Sequence, residues 1–96
     1  MTDVECYKKA NIHKAHFSKI KSNPHYQPTK QTAVALAIGM KLNLKDTNRL
    51  LEKAGFVLSR SSKFDLIIKY CIEEGQYNIF EINEILFEED QKTLGV

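Results

Sequence analysis

The sequence predicts an all-α fold, a small bundle of about six helices in a single domain. Residues that cap helix N-termini (Thr2, Thr29, Ser62, Asn78) stand just ahead of apolar-periodic runs, and Asn or Gly stops such as Asn11, Gly55 and Gly75 close several of them. No segment alternates apolar and polar side chains for long enough to make a strand. Ninety-six residues, 43% of them apolar, supply one modest core and not two.

Each element follows from local chemistry. Thr2 with Glu5 is a capping box, so the first helix runs from Asp3 to Ala10 and stops at Asn11. The second spans about His13 to Ser22 and ends at Asn23-Pro24, because the residue before proline is pushed out of the helical region. Ile12, Phe17 and Ile20 point one way from it, and Phe17 is expected to be buried between this helix pair and the third helix. The loop from Pro24 to Pro28 leads to Thr29, the cap of a third helix from Lys30 to about Leu42. Ala33, Val34, Ala35, Leu36, Ala37 and Ile38 make that helix apolar nearly all round, so it is expected at the centre.

Asn43-Leu44 breaks the chain again, and Lys45 to Ala54 forms the fourth helix with Leu50, Leu51 and the stop at Gly55. Phe56 and Leu58 pack the connection. Ser62 with Asp65 opens the fifth helix, which carries Phe64, Ile67, Ile68 and Cys71 and ends at Gly75. Asn78 with Glu81 opens the sixth, with Ile82, Leu86 and Phe87. The acidic run Glu88-Glu89-Asp90 and the residues after it are expected to fray.

The net charge of +2 conceals a segregation. Residues 1–62 hold 11 Lys/Arg against 4 Asp/Glu, a net +7, and residues 63–96 hold 3 against 8, a net −5. The basic part suits a polyanion, and the acidic part suits a basic protein or a second copy of the chain. Lysine outnumbers arginine 12 to 2, which favours phosphate contact by point charge over bidentate reading of guanine.

Several classes are set aside. No apolar run approaches the roughly 20 residues of a membrane span, and no signal peptide opens the chain, so the expectation is a cytoplasmic protein without membrane association. Cys6 and Cys71 form no CxxC pair and read as reduced thiols. His13 and His16 with Cys6 lack a fourth ligand, so no metal and no cofactor is expected. No phosphate-binding glycine loop, nucleophile elbow or HExxH is present, and the chain is read as non-enzymatic.

The turn Asn11-Ile12-His13, the run Phe17-Ser18-Lys19-Ile20 and the apolar stretch Ala35 to Leu44 carry a resemblance. Residues 3–56 resemble the phage-repressor-like (XRE/Cro-type) helix-turn-helix family, with residues 57–96 a C-terminal helical pair ending in an acidic tail. Only Met1 and Thr2 precede the pair where the family has another helix, so the expectation is a truncated mobile-element variant. Residues 62–90 are then expected to fill the space that helix occupies. Tyr7 stands where the family has a small residue, and its ring is expected to hold the two motif helices apart.

The resemblance implies a recognition helix over residues 13–21. His13, Lys14, His16 and Lys19 would face bases or phosphates in the major groove, and Lys21, Thr29, Lys30 and Gln31 would clamp phosphate beside the third helix's N-terminus. Tyr26, between prolines, suits either stacking on a nucleotide or packing over the loop. The leading reading is a DNA-binding transcriptional regulator of a phage or mobile element, acting on duplex DNA as a possible homodimer. The alternatives are an anti-CRISPR-like inhibitor whose partner is a nucleic-acid-binding protein such as an RNA-guided nuclease, and an antitoxin.

Overall fold

Six side chains set where the helices begin. In the computed structural model, which describes residues 2–23 and 25–95, the elements are α1 (Asp3–Lys9), α2 (Lys14–Ser22), α3 (Lys30–Gly39), α4 (Leu44–Lys53), α5 (Lys63–Glu73) and α6 (Ile79–Glu88), with no strand among the described residues. Thr2, Thr29, Asn43 and Ser62 each accept a hydrogen bond from the amide three residues on, at 2.8–3.3 Å. Asn78 accepts from the amides of both Phe80 and Glu81. His13 is the unexpected cap: it stands outside α2, and its Nδ1 accepts from the Ala15 amide at 3.2 Å. Each cap satisfies an N–H that the first helical turn leaves without a carbonyl.

The helix ends follow a second rule. After α1, α3, α4, α5 and α6 the chain turns left-handed at Asn11, Lys41, Gly55, Gly75 and Asp90. In each case the following amide reaches back five residues, as Ile12 N–H does to Tyr7 C=O at 2.8 Å and Leu42 N–H to Ala37 C=O at 3.0 Å. This paired closure ends the helix and throws the next side chain inward. It also stops α3 at Gly39, with Met40 as cap, short of the Leu42 end expected from the apolar run. The Pro24 stop lies outside the described residues, but Asn23 before it is extended (φ −114°, ψ 103°), as a residue preceding proline should be.

The core is built round α3. Thr32 through Gly39 are all buried, and α1, α4 and α6 pack against this one helix. Around it sit Ala10, Ile12, Leu51, Ile68, Cys71, Ile82 and Leu86. Gly39 is required by contact: a Cβ there would lie 2.9 Å from the Ala10 amide nitrogen and 3.0 Å from the Cys6 carbonyl oxygen. The close approach of α1 is therefore to α3. Tyr7 instead meets α2, its ring tilted 48° against Phe17 with centroids 5.6 Å apart.

Two expectations need correction. Phe17 is half-buried, and α2 has no fully buried residue; the buried apolar residue nearest it, Ile12, belongs to the turn. A ring lying over the rim of the core, against Tyr7, meets the apolar spacing of α2 without entering the interior. The chain after Asp90 does not fray. Leu94 is only 1% exposed, its N–H donates to Asn83 Oδ1 at 2.7 Å, and its carbonyl accepts from Asn83 and Asn11 at 3.1 and 3.3 Å. Gly95 follows at φ +89°, so close to the Asn11 carbonyl that a Cβ would lie 2.2 Å from it. The tail thus returns to the turn between α1 and α2, drawn in by one apolar side chain and the amide of Asn83.

Replacing Leu94 with alanine should cost about 2–4 kcal/mol, the range for emptying a buried leucine site. Urea denaturation will measure it. A loss below about 0.5 kcal/mol would show that the tail is not part of the core.

Candidate nucleic-acid interface

The surface of interest is assembled by α2, the turn before it and the loop after it. Since α2 buries no residue completely, most of its circumference faces outward. Among the described residues of this helix and its cap, His13, Lys14, Ala15, Ser18, Lys19, Lys21 and Ser22 are exposed, and none is acidic. Among the described residues, Lys14 and Lys19 have no carboxylate within ion-pair distance. Lys21 does: its Nζ lies 2.6 Å from Asp3 Oδ2, an exposed pair linking α2 to the first turn of α1. Exposed pairs of this kind are worth little and yield readily to a competing anion.

Tyr26 organises the rear of the surface. Its hydroxyl shares a 2.8 Å hydrogen bond with His16 Nε2, the two rings meet edge to face, and the Lys19 ammonium stands 5.7 Å from the Tyr26 centroid. Both His16 and Tyr26 are half-buried. Tyr26 therefore packs against α2, and the pair orients Lys19 outward through a cation–π contact. His13 has a different task. Its Nδ1 accepts the Ala15 amide, so the neutral ring carries its proton on Nε2, which faces solvent as a donor.

The second group of sequence-predicted residues is largely occupied inside the protein. Thr29 caps α3 through the Thr32 amide and donates its hydroxyl hydrogen to Thr32 Oγ1. Gln31 is half-buried. The Lys30 ammonium sits 2.7 Å from Oδ2 of Asp65, whose side chain is 1% exposed. The same oxygen accepts the Ser59 amide at 2.7 Å, while Oδ1 is buried without a partner. Sequence reasoning gave Asp65 only a place after the Ser62 cap. Nothing local in the sequence pairs residue 30 with residue 65. The tertiary fold does so by packing α5 beside α3 and α4.

No metal or membrane element competes for this surface. Among the described residues no group of three or more His, Cys, Asp or Glu could hold a metal ion, and no helix is long and apolar enough to cross a membrane. Cys6 and Cys71 are buried free thiols. Burial pushes both above the ordinary thiol range, and for Cys6 the Asp3 carboxylate adds to the rise while Lys21 opposes it.

No protein-family model, curated protein or solved structure matches the chain.

Two measurements test this description. Lys30→Met should destabilise the protein by about 2–4 kcal/mol, somewhat under the full cost of stripping a buried carboxylate of its counter-ion because Lys30 is itself partly exposed. An unchanged denaturation midpoint would place Asp65 in water. The thiols fix the sign of an alkaline effect: they ionise near 9.0 in the unfolded chain and higher in the native one. Their contribution to stability is therefore complete below pH 9 and is lost as pH rises through the folded values. Cys71→Ala should flatten the fall in stability above pH 9, compared by denaturation at pH 7 and about pH 10.

Proposed function

We propose that the chain is a non-enzymatic helix-turn-helix DNA-binding protein, a transcriptional regulator of a phage or mobile element, in which α2 is the recognition helix. The observation that carries this reading is the placement of Lys14 and Lys19 on the least buried helix, without carboxylate partners among the described residues. Two further features support it. Asn11 takes the left-handed conformation (φ 57°) at the turn position where the resembled family has glycine. Ile12 is buried behind the turn, so α1 and α2 are held together while the outer side of α2 stays free.

In this reading the α2 N-terminal turn enters the major groove. His13 Nε2–H and Lys14 stand at its leading end, and Lys19 lies a turn further on, steadied by Tyr26. Lys21 exchanges Asp3 for a phosphate. Lys30 and Thr29 support α3 and take no part in holding DNA. Lysine–phosphate pairing of this kind gives affinity and salt dependence more than base discrimination. A dimer on two half-sites would supply the additional surface that specific binding needs.

A second reading, a protein-binding inhibitor of anti-CRISPR type, is favoured by Tyr70 and Phe87, which are 62% and 76% exposed on the acidic half. It expects only weak, sequence-independent DNA affinity and a stoichiometric protein complex.

The deciding experiment is a fluorescence-anisotropy titration of labelled duplex DNA at two salt concentrations. Lys14→Ala with Lys19→Ala should weaken binding and lower the slope of log K against log salt by roughly 1 for each phosphate the variant no longer neutralises. Stability should change by less than about 0.5 kcal/mol, since both side chains are exposed. Absence of wild-type binding even at low salt would sink the regulator reading.

A further inference from the structure

Phe80 stands in the first turn of α6 and is 66% exposed, while Ile79 and Ile82 beside it are buried in the core. Two open hollows meet at its ring. One, of about 780 Å3, lies toward α2 and is lined by Tyr7, Lys8, His13 and Lys14 among others. The other, of about 380 Å3, lies toward the α3–α4 turn and includes Lys9, Lys41, Tyr77 and Asn78. Among the described residues, neither is lined by a carboxylate, and none of the four lysines is in an ion pair. An aromatic from the acidic half is thus ringed by cations from the basic half.

We propose that Phe80 is a stacking platform for an unpaired nucleobase, with Lys8 and Lys14 taking the phosphate on one side of that nucleotide and Lys9 and Lys41 the phosphate on the other. The chemistry selects this occupant. An exposed ring between two cationic hollows matches a polymer that alternates a flat apolar unit with an anion, and single-stranded nucleic acid is such a polymer. Paired bases within a duplex offer only their edges, so the base that reaches Phe80 is one outside the stack. The inference rests on the nucleic-acid reading above and extends the surface: the first hollow shares His13 and Lys14 with the α2 face, making one continuous path from the recognition helix to α6.

The sequence contains no tryptophan, so Phe80→Trp supplies a single reporter at the platform. The probes are an oligo(dT) about 12 nucleotides long, within the span one small domain covers, an abasic phosphodiester of equal length, and a mixed-sequence duplex. Oligo(dT) should quench the tryptophan, and the abasic strand should not. Wild type should prefer oligo(dT) over the abasic strand by about 5- to 100-fold, and Phe80→Ala and Phe80→Leu should both lose that preference. Lys9→Ala with Lys41→Ala should weaken both ligands and lower the salt slope by roughly 0.7 for each phosphate left unneutralised. Because these side chains are exposed, each variant should keep the wild-type unfolding midpoint.

Equal wild-type affinity for the oligo(dT) and abasic strands overturns the proposal, leaving a polyanion surface only. Wild-type behaviour of Phe80→Leu also overturns it, since an apolar side chain without a ring would then suffice. Capture of an acidic aromatic copolymer of Glu and Tyr through Phe80, with no binding of oligo(dT), overturns it in favour of a protein partner. Duplex binding that needs Lys14 and Lys19, with no oligo(dT) binding, removes the platform and leaves the regulator reading standing. Failure of every nucleic-acid probe removes both.

Discussion

Gly39 and Ala10 meet at the contact on which the rest of the packing depends. With no Cβ at 39, the backbone of α3 comes close enough to α1 that its Cα nearly touches the Ala10 amide and the Cys6 carbonyl. A helix buried along its whole length can be approached closely only where its side chains are small. Ala33, Ala35, Ala37 and Gly39 alternate along α3 with Val34, Leu36 and Ile38. The small residues admit the neighbouring backbones, and the large ones fill the space between them. Because α1 lies flat on α3, α2 leaves over the rim of the core and not through it. The outward exposure of α2 is a consequence of that one crossing.

The fold was legible because its boundaries are local chemistry. Five of the six capping side chains are Thr, Asn or Ser, whose oxygens advertise the start of a helix, and Gly55 and Gly75 advertise two of the ends. Sequence and structure part where local preference is overridden. Lys41 and Asp90 turn left-handed without being glycine, because the five-residue backward bonds from Leu42 and Gln91 hold them there. His13 caps through a ring nitrogen, a use of histidine that spacing does not announce. Leu94 resembles part of a solvated tail because few of its sequence neighbours are apolar. Its partners, Asn83 and Asn11, lie 11 and 83 positions away.

The candidate site divides in the same way. Lys14 and Lys19 could be placed from helical periodicity alone, since a residue opposite the apolar stripe of a helix is exposed wherever that helix docks. Lys30 could not. The sequence shows a cation in the first turn of a helix, a position that resembles an anion site equally well whether the anion is a ligand or a carboxylate of the same chain. Only the packing of α5 decides that it is Asp65. Phe80 could not be placed either, because its significance is the four lysines around it, and they come from α1, α2 and the turn after α3.

Charge segregation along the chain acquires a spatial meaning from these contacts. The basic and acidic halves are joined by one well-buried ion pair, Lys30 with Asp65, which fastens α5 to α3 and holds the loop at Ser59. The remaining acidic residues of the second half are engaged locally, as Glu89 is with Lys63 and Glu81 with Gln76, or lie exposed on α5 and α6. Little negative charge is therefore brought to α2, where only Asp3 lends a carboxylate, and that one is exposed. Had the carboxylates been distributed evenly, each outward lysine of α2 would have found a neighbour to neutralise it, as Arg49 approaches Asp46 on α4. Keeping the two signs on separate elements leaves the α2 face with an unbalanced field, and an unbalanced field is what draws a polyanion from a distance.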